Sequence, residues 1–230
     1  MKTKKLYFES TDPAFPGITS IKTHIPDWYK DMKKFNGGKP QFYPHKTVGI
    51  KECAPFLDAL TLGYSIPLAS DMLVEQIDEE PRLTWLTADT KNLVTLRKNH
   101  ENEKIPVPPG FSLTKFSWET RVAIDIPAGY SIIVTQPFNR ADLPFHTLTG
   151  VVDGPMILAP GSLSFYLREG FEGLIPEGTP IAQVIPFRRE DWKSEVKSGL
   201  VDKAMIQKNK SVSRLLGWYK QNVWQKKSYN

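Results

Sequence analysis

Prolines are distributed unevenly along this chain of 230 residues, and their distribution limits what the chain can fold into. All 19 prolines lie at or before Pro186. Proline lacks a backbone donor and clashes with the preceding helical turn, so long helices are disfavoured over that part of the chain. Longer helical patterning is expected only beyond Pro186. The sequence therefore predicts a strand-forming portion followed by a helical C-terminal portion.

Short apolar runs bounded by turn residues indicate strands between about residues 56 and 187. Tyr130–Thr135 and Leu163–Leu167 are rich in β-branched or aromatic residues. Two segments also resemble each other, because Ile126–Phe138 and Ile175–Phe187 both begin Ile-Pro-x-Gly and end in Pro-Phe. Each predicts a turn that feeds a strand, and the closing proline is expected to end the pairing of that strand. The pair predicts either duplicated β-ribbons in a compact barrel-like fold or repeated use of one turn.

The C-terminal portion carries apolar residues at helical spacing. Ser211 is predicted to cap a helix that runs to Trp224. The predicted buried stripe consists of Val212, Leu215, Leu216, Tyr219 and Val223. A helix of this length is marginal alone in water, so we expect it to pack on its own chain or on a neighbouring subunit.

Charge divides the chain into three parts, which we predict to be its domains. Residues 1–51 carry a net charge of +6, residues 52–187 carry −8, and residues 188–230 carry +7. These parts are predicted to be a basic arm with a short helix, a β-rich body and a basic helical arm. The arms are expected either to pack on the acidic body or to meet a polyanion. Nucleic acid is disfavoured as a partner because lysine dominates over arginine and no long basic run occurs.

Common catalytic and metal-binding motifs are missing from the sequence. Neither a Walker-type phosphate loop nor a Gly-x-Gly-x-x-Gly fingerprint occurs. Cys53 is the single cysteine, and the four histidines, His24, His45, His100 and His146, are scattered. We therefore predict no metal site and no cofactor. Without a long apolar run or a secretory leader, the protein is expected to be cytoplasmic and to have no membrane partner.

Polar residues cluster after one predicted strand and indicate a binding site. The residues predicted to bind a ligand are Gln136, Asn139, Arg140 and Asp142, in a loop bracketed by prolines. The ligand expected there is a small anion or a nucleotide, since arginine pairs with anions. Asp153 ends the next apolar run, where a carboxylate could orient a water, and we expect it to converge with this loop. The alternative is a structural turn in which Arg140 simply pairs with Asp142.

The sequence also resembles an uncharacterised protein family of tailed phages and bacteria. The segments that carry this resemblance are Glu52–Leu68, Gln136–Phe145 and Gly178–Glu190. The resemblance implies a viral context and no assigned activity. It implies the host cytoplasm as the compartment and other phage proteins as candidate partners, and it leaves virion association open.

A second, remote resemblance is to dUTPases and their deaminase relatives. Leu62–Ser70 is similar to the early Gly-Tyr-Asp-Leu motif of these enzymes, Gly150–Asp153 to the motif whose aspartate activates water, and Ile175–Gln183 to the strand that closes the site. The resemblance implies a β-clip fold, a trimer and Asp153 as the catalytic base. Ser65 stands where the first motif has aspartate, and no Arg-Ser-Gly phosphate motif follows the middle strand.

Together these features predict a mainly β protein with a β-clip or barrel-like body similar to dUTPases, an irregular N-terminal arm and an α-helical C-terminal arm. The function predicted is a binding or structural role in a phage-type protein that self-associates. The alternative is a dUTPase-like hydrolase that processes a nucleotide with Asp153 as its water-activating base. The missing phosphate motif favours the non-enzyme.

Overall fold

The computed structural model describes residues 4–12, 15–36, 47–78, 80–85, 92–97, 105–159, 161–213 and 218–229. The protein is mainly β, with 41% strand and 17% helix, as the proline and strand patterns predict. Its described residues form two compact units. The first, which we call the β unit, joins the chain up to Pro26 to Leu60–Arg189. The second unit joins Asp27–Ala59 to Glu190–Tyr229.

The strands are short and follow the turn signals of the sequence. In chain order they are β1 Tyr7–Ser10, β2 Thr19–Ser20, β3 Phe35–Asn36, β4 Thr47–Val48, β5 Tyr64–Pro67, β6 Met72–Ile77, β7 Glu80–Trp85, β8 Val94–Arg97, β9 Phe111–Glu119, β10 Val122–Ile126, β11 Tyr130–Thr135, β12 Phe145–Thr147, β13 Gly150–Asp153, β14 Met156–Leu158, β15 Ser162–Arg168, β16 Gly173–Ile175 and β17 Pro180–Arg188. The α-helices are α1 Asp27–Lys30, α2 Ala54–Thr61, α3 Leu200–Ser213 and α4 Trp218–Asn222. Single 3-10 turns form at Ile21–His24 and Ile50–Glu52.

The strands pair antiparallel in several separate sheets. The β unit holds a five-stranded sheet in the order β13-β11-β17-β5-β2, a four-stranded sheet β12-β15-β9-β8, and the three-stranded sheets β1-β10-β14 and β16-β6-β7. Strands β3 and β4 pair in the second unit. Within the residues that the structure describes, no sheet closes on itself, so the β-rich body is not a closed barrel.

The two similar sequence segments become neighbouring strands. Strand β11 pairs with β17 from Tyr130 opposite Arg188 to Thr135 opposite Gln183. The prediction that the closing proline ends the pairing is wrong for Pro186, which lies within β17 opposite Ile132. The pairing of β17 with β5 stops at Val184. Pro186 therefore lies where β5 no longer pairs, and proline is tolerated at such edge positions.

Aromatic packing and one buried hydroxyl join two sheets of the β unit. Trp118 of β9 stacks on Phe165 of β15 with ring centroids 3.6 Å apart and an interplanar angle of 7°. The Trp118 Nε1–H donates to Thr147 Oγ1 at 3.1 Å, and the Thr147 hydroxyl donates to the Ile181 carbonyl at 2.7 Å. Because Ile181 belongs to β17, this chain of bonds links the four-stranded sheet to the five-stranded one. All of its polar groups are satisfied inside the core.

The second unit is held by contacts between residues far apart in sequence. The Asp58 carboxylate of α2 accepts hydrogen bonds from Trp224 Nε1 at 3.0 Å and from Lys227 Nζ. The rings of Tyr29 and Phe56 stack with their centroids 5.9 Å apart. None of the helices in the described ranges has both the length and the apolar character needed to span a bilayer.

The C-terminal helix is present, but its bounds and its buried side differ from the prediction. Helix α3 begins at Leu200, eleven residues before the predicted cap Ser211, and α4 ends at Asn222. The side chains of Val212, Leu215 and Leu216 lie outside the described residues. The predicted burial of Tyr219 and Val223 is wrong, since they are 43% and 45% exposed. In this part of the arm it is the half-buried Trp224 that makes the tertiary contact, with Asp58.

Candidate ligand-binding site

A cavity of about 500 Å³ lies in the β unit beside the loop that connects β11 to β12. The side of this loop that faces the cavity includes Gln136, Asn139 and Arg140, three of the four residues predicted to bind a ligand. Aromatic residues supply much of the remaining wall, namely Phe111, Phe138, Phe145 and His146. The volume is in the range of small-molecule sites, about 300–1,000 Å³.

Two glutamine side chains fix the shape of this loop. Gln136 Nε2 donates to the Phe145 carbonyl at 3.1 Å, and Gln136 Oε1 accepts from the Thr147 N–H at 2.8 Å. The side-chain amide of Gln136 thus makes two hydrogen bonds across the base of the loop of the kind that a neighbouring strand would make. Gln183 is fully buried, and its Oε1 accepts from the Phe138 N–H at 2.8 Å. Gln136 therefore lines the cavity while its amide is engaged with backbone, so we assign it to positioning the loop.

Arg140 pairs with Asp142, as one of the two interpretations of the sequence holds. The Arg140 Nε–H and Nη2–H donate to the Asp142 carboxylate at 2.8–3.1 Å, which is a bidentate arrangement. Arg140 Nη1 also donates to the His24 carbonyl at 3.1 Å. Asp142 does not contribute to the cavity lining itself. Arg140 thereby connects the loop to the N-terminal segment, and its side chain also lines the cavity.

Asn139 adopts a backbone conformation that most residues avoid. Its φ is +59°, in the left-handed region, where asparagine is better tolerated than other side chains. Asn139 is the third residue of a turn closed by a hydrogen bond from Arg140 N to Pro137 O, and the next turn is closed by one from Leu143 N to Arg140 O, each 3.3 Å long. Strained residues of this kind concentrate at functional loops.

Arg168 and Phe111 belong to the site although the sequence analysis did not select them. Arg168 ends β15, and its guanidinium lies 5.8 Å from the centre of the Phe111 ring. Among the described residues Arg168 donates to the carbonyls of Ala141 and Leu143 and pairs with no carboxylate. Its position directly after the apolar run Leu163–Leu167 is the signal that could have revealed it, because Asp153 likewise follows an apolar run.

Two histidines near the loop are held in the neutral form. Burial lowers the pKa of His146, whose ring meets the Phe111 ring edge-on at 5.8 Å. Burial, and to a smaller extent the Arg140 charge, lower the pKa of His24. Because the ordinary histidine pKa is about 6.5, both rings are uncharged at neutral pH. The positive charge at the cavity wall therefore comes from the arginines.

Asp153 is separated from the other predicted site residues by the length of a strand. It lies opposite Ser131 at one end of the β11–β13 ladder, whereas the cavity lies beyond Thr135 at the other end. Four residues of strand correspond to about 13 Å. The Asp153 carboxylate accepts from the Ser131 hydroxyl at 2.6 Å and lies 3.9 Å from Arg189 Nη1. Asp153 does not line this cavity, so the expected convergence with Asn139 and Arg140 is not found, and its catalytic role stays a prediction.

The donors for a metal ion are sparse in the part of the chain that the structure describes. No three side chains of histidine, cysteine, aspartate or glutamate come together there in a group that could hold an ion. In the cavity itself His146 is the one residue of these four types among the lining residues.

Comparison with known proteins yields a remote structural match. No protein-family model matches the sequence, and no curated protein matches it. Among solved structures, the fold is similar to a dUTPase variant of Staphylococcus bacteriophage 80alpha, with a TM-score of 0.33 and 13% identity. The match covers 85% of this chain and 96% of that one. At this similarity the match identifies neither a ligand nor a reaction for this chain.

Proposed function

We propose that the β unit is a binding module that takes a small anionic, ring-bearing ligand in the cavity beside the β11–β12 loop, and that this ligand is a nucleotide. The observation that carries the proposal is Arg168. Its guanidinium stands at the cavity wall against Phe111 and, among the described residues, has no carboxylate partner. An arginine in that state is suited to bind a phosphate or carboxylate group of a ligand.

The rest of the cavity lining complements a planar ring. Phe111, Phe138 and the neutral His146 offer aromatic faces and edges, and the Asn139 amide can both donate and accept. Nucleotides combine a ring that stacks on aromatic side chains with a phosphate that binds arginine. Because aromatic side chains and an arginine line the same cavity, we propose a nucleotide as the ligand.

Binding is favoured over hydrolysis by what surrounds the cavity. No carboxylate is among the residues that line it within the described ranges, so the aspartate base that the dUTPase resemblance implies is not in this wall. The one lining histidine, His146, packs edge-on against Phe111. Asp153, the base that the dUTPase resemblance implies, is bonded to Ser131 at the far end of the ladder. A phage-type context is supported by the sequence resemblance to the phage family.

Self-association of the chain is part of the same proposal. Helix α3 exposes four large apolar side chains, Leu200, Val201, Met205 and Ile206, each more than half exposed. Exposed apolar surface of this kind is typical of protein–protein contacts. The remote dUTPase resemblance favours a trimer.

The test of the ligand site is calorimetric titration of the full chain with nucleoside monophosphates, and with inorganic phosphate as the probe for a bare anion. We expect at least one nucleotide to bind more tightly than phosphate. Arg168→Gln should weaken that binding about ten-fold or more, since hydrogen bonds to charged groups contribute about 1.5–3 kcal/mol. The matched control is Arg82→Gln, because Arg82 is exposed on β7 and does not line the cavity.

Three results would overturn the binding proposal. The first is the lack of saturable binding by any nucleotide, and the second is equal affinity of the Arg168→Gln variant and the parent protein. The third is turnover of a nucleotide that is lost in Asp153→Asn, which would establish the hydrolase instead.

A further inference from the structure

A second cavity, of about 320 Å³, lies in the β unit away from the proposed ligand site. It is enclosed by β5, β10, β11, β13, β14 and β15, and Thr149 is the one lining residue that it shares with the first cavity. We call it the apolar cavity. The two cavities therefore have one lining residue in common.

The walls of the apolar cavity are aliphatic. The side chains that form them are Ile66, Val122, Ile124, Val134, Leu148, Val152, Leu158 and Leu163. Ile66, Val122, Ile124 and Val134 are only 1–3% exposed, so the cavity reaches into the core instead of lying on a sheet face. Side chains around such a space lose packing partners unless something fills it.

Three of the four hydroxyl groups that line the apolar cavity are already engaged, those of Thr120, Thr149 and Ser162. The Thr120 hydroxyl donates to the Gly161 carbonyl at 3.0 Å, and the hydroxyls of Thr149 and Thr135 share a hydrogen bond of 2.7 Å. The Ser162 hydroxyl accepts from Arg97 Nη2. No charged side chain is among the described lining residues. An occupant gains little from hydrogen bonds here and must be held by apolar contact.

Two glycines are among the residues that line the apolar cavity. Gly150 is exposed, and Gly161 directly precedes β15. A Cβ at Gly150 would meet nothing within 4 Å, so the backbone there leaves open space. A small molecule can thus approach beside Gly150 without displacing a side chain.

We propose that the apolar cavity is a binding site for a small, uncharged hydrophobic molecule with about two fused rings. An apolar cavity of about 150 Å³ stays dry and holds one benzene, so a cavity of about twice that volume suits a molecule of about twice that size. The depth among core side chains and the small volume both favour such a molecule over a protein segment. This site is independent of the nucleotide site and does not rest on it.

The test uses indole as the probe and the full chain as the protein. Calorimetric titration is expected to give saturable binding of one indole per chain. Val152→Phe places a ring inside the cavity and should lower the affinity about ten-fold or more. The matched control is Val151→Phe, because Val151 is the next residue of β13, points away from the cavity and is 62% exposed.

The outcomes distinguish binding of indole in the apolar cavity from binding elsewhere on the protein. Binding that survives in Val151→Phe and is lost in Val152→Phe supports the apolar cavity. Binding that survives equally in both variants places indole elsewhere, the first cavity included, and overturns the proposal, as does the lack of saturable binding by the parent protein. Circular dichroism confirms that each variant is folded. If Val152→Phe unfolds, Leu163→Phe fills the cavity from β15, and Leu113→Phe is its exposed control.

Discussion

The Gln183 side chain accepts a hydrogen bond from the Phe138 N–H at 2.8 Å and donates one to the Leu62 carbonyl at 2.5 Å. One buried amide of β17 thereby connects two segments that are distant in sequence: the loop beside the candidate ligand site and the turn before β5. Its register position explains the reach, since Gln183 lies opposite both Thr135 and Ser65. The conformation of the loop beside the candidate site thus depends on a residue that does not line the cavity.

Replacing Gln183 with leucine should destabilise the protein and weaken ligand binding. The Gln183→Leu variant leaves a backbone donor and a backbone acceptor without their partner, and each such loss costs about 1–3 kcal/mol. We expect the free energy of unfolding in urea to fall by about 2–4 kcal/mol. Gln207→Leu is the control, because Gln207 is exposed on α3. A decrease no larger than that of the control would show that the amide does not hold the loop.

Replacing Thr147 with valine tests the buried hydroxyl between the sheets. Valine has nearly the same shape but leaves Trp118 Nε1 and the Ile181 carbonyl unpaired in the core. We predict a loss of about 2–4 kcal/mol in urea unfolding, from two unsatisfied groups. The exposed Thr84 of β7 provides the control Thr84→Val, which should change stability by no more than about 0.5 kcal/mol. Equal midpoints for the two variants would contradict this account of the core.

Stability should decrease as the pH falls below neutral. The pKa values of His24 and His146 are lowered in the folded protein, chiefly by burial. The unfolded chain therefore takes up protons first as the pH falls through about 6.5, and folding opposes that uptake. The stabilisation that the two neutral histidines contribute is fully present above about pH 7. It is lost progressively as the pH falls towards their lowered pKa values in the folded protein.

Urea unfolding at pH 7.5 and pH 5.5 measures this effect. The parent protein should lose more stability between the two pH values than the double variant His24→Gln/His146→Gln. A pH dependence that is the same in both proteins would mean that these histidines are not responsible for it.

The contact of Asp58 with Trp224 and Lys227 should protect the C-terminal residues from proteolysis. Asp58→Asn removes the charge that both donors meet, and hydrogen bonds to charged groups are worth about 1.5–3 kcal/mol. We expect trypsin to cleave after Lys226 and Lys227 about ten-fold faster, because cleavage follows the population of the open form. Mass spectrometry identifies the sites. The control is Asp202→Asn, in the exposed first turn of α3, which trypsin should cleave at the rate of the parent protein. Equal cleavage rates for the parent and both variants would argue against this anchoring.

Self-association, if α3 provides the contact, should depend on Met205. The parent chain of 26.1 kDa is expected to elute as an oligomer in light-scattering chromatography. Met205→Glu places a charge among the exposed apolar side chains of α3 and should shift the mass towards the monomer. Gln207→Glu adds the same charge on the same helix outside this apolar group and should leave the mass unchanged. A monomeric parent protein would contradict the proposal directly.

Local patterns in the sequence predict the local parts of this structure. Tyr130–Thr135 forms β11 with the predicted bounds, because β-branched residues between a turn and a proline leave few alternatives. Leu163–Leu167 falls within β15 for the same reason. The ion pair of Arg140 with Asp142 is also local, since two residues of one tight loop meet without help from the rest of the chain.

Features that depend on strand pairing were beyond the sequence patterns. Arg168 reaches the β11–β12 loop because β12 pairs with β15, and no local signal specifies that register. Asp153 was expected near Arg140 because the two are close in sequence. Antiparallel pairing of β11 with β13 instead places the end of β13 beside the start of β11. In the helical arm the apolar spacing predicts burial of Tyr219 and Val223, whereas both are exposed and Trp224 makes the contact with Asp58.

The separation of 166 residues between Asp58 and Trp224 has a consequence for how the chain is made. Ribosomes add about 5–20 residues per second, so the partner of Asp58 is synthesised about 8–33 s after Asp58 itself. During that interval the first half of the second unit exists without its second half, while the β unit can already pair its strands. Completion of the second unit is therefore a late event in synthesis, because Asp58 acquires its partner only once Trp224 has been made.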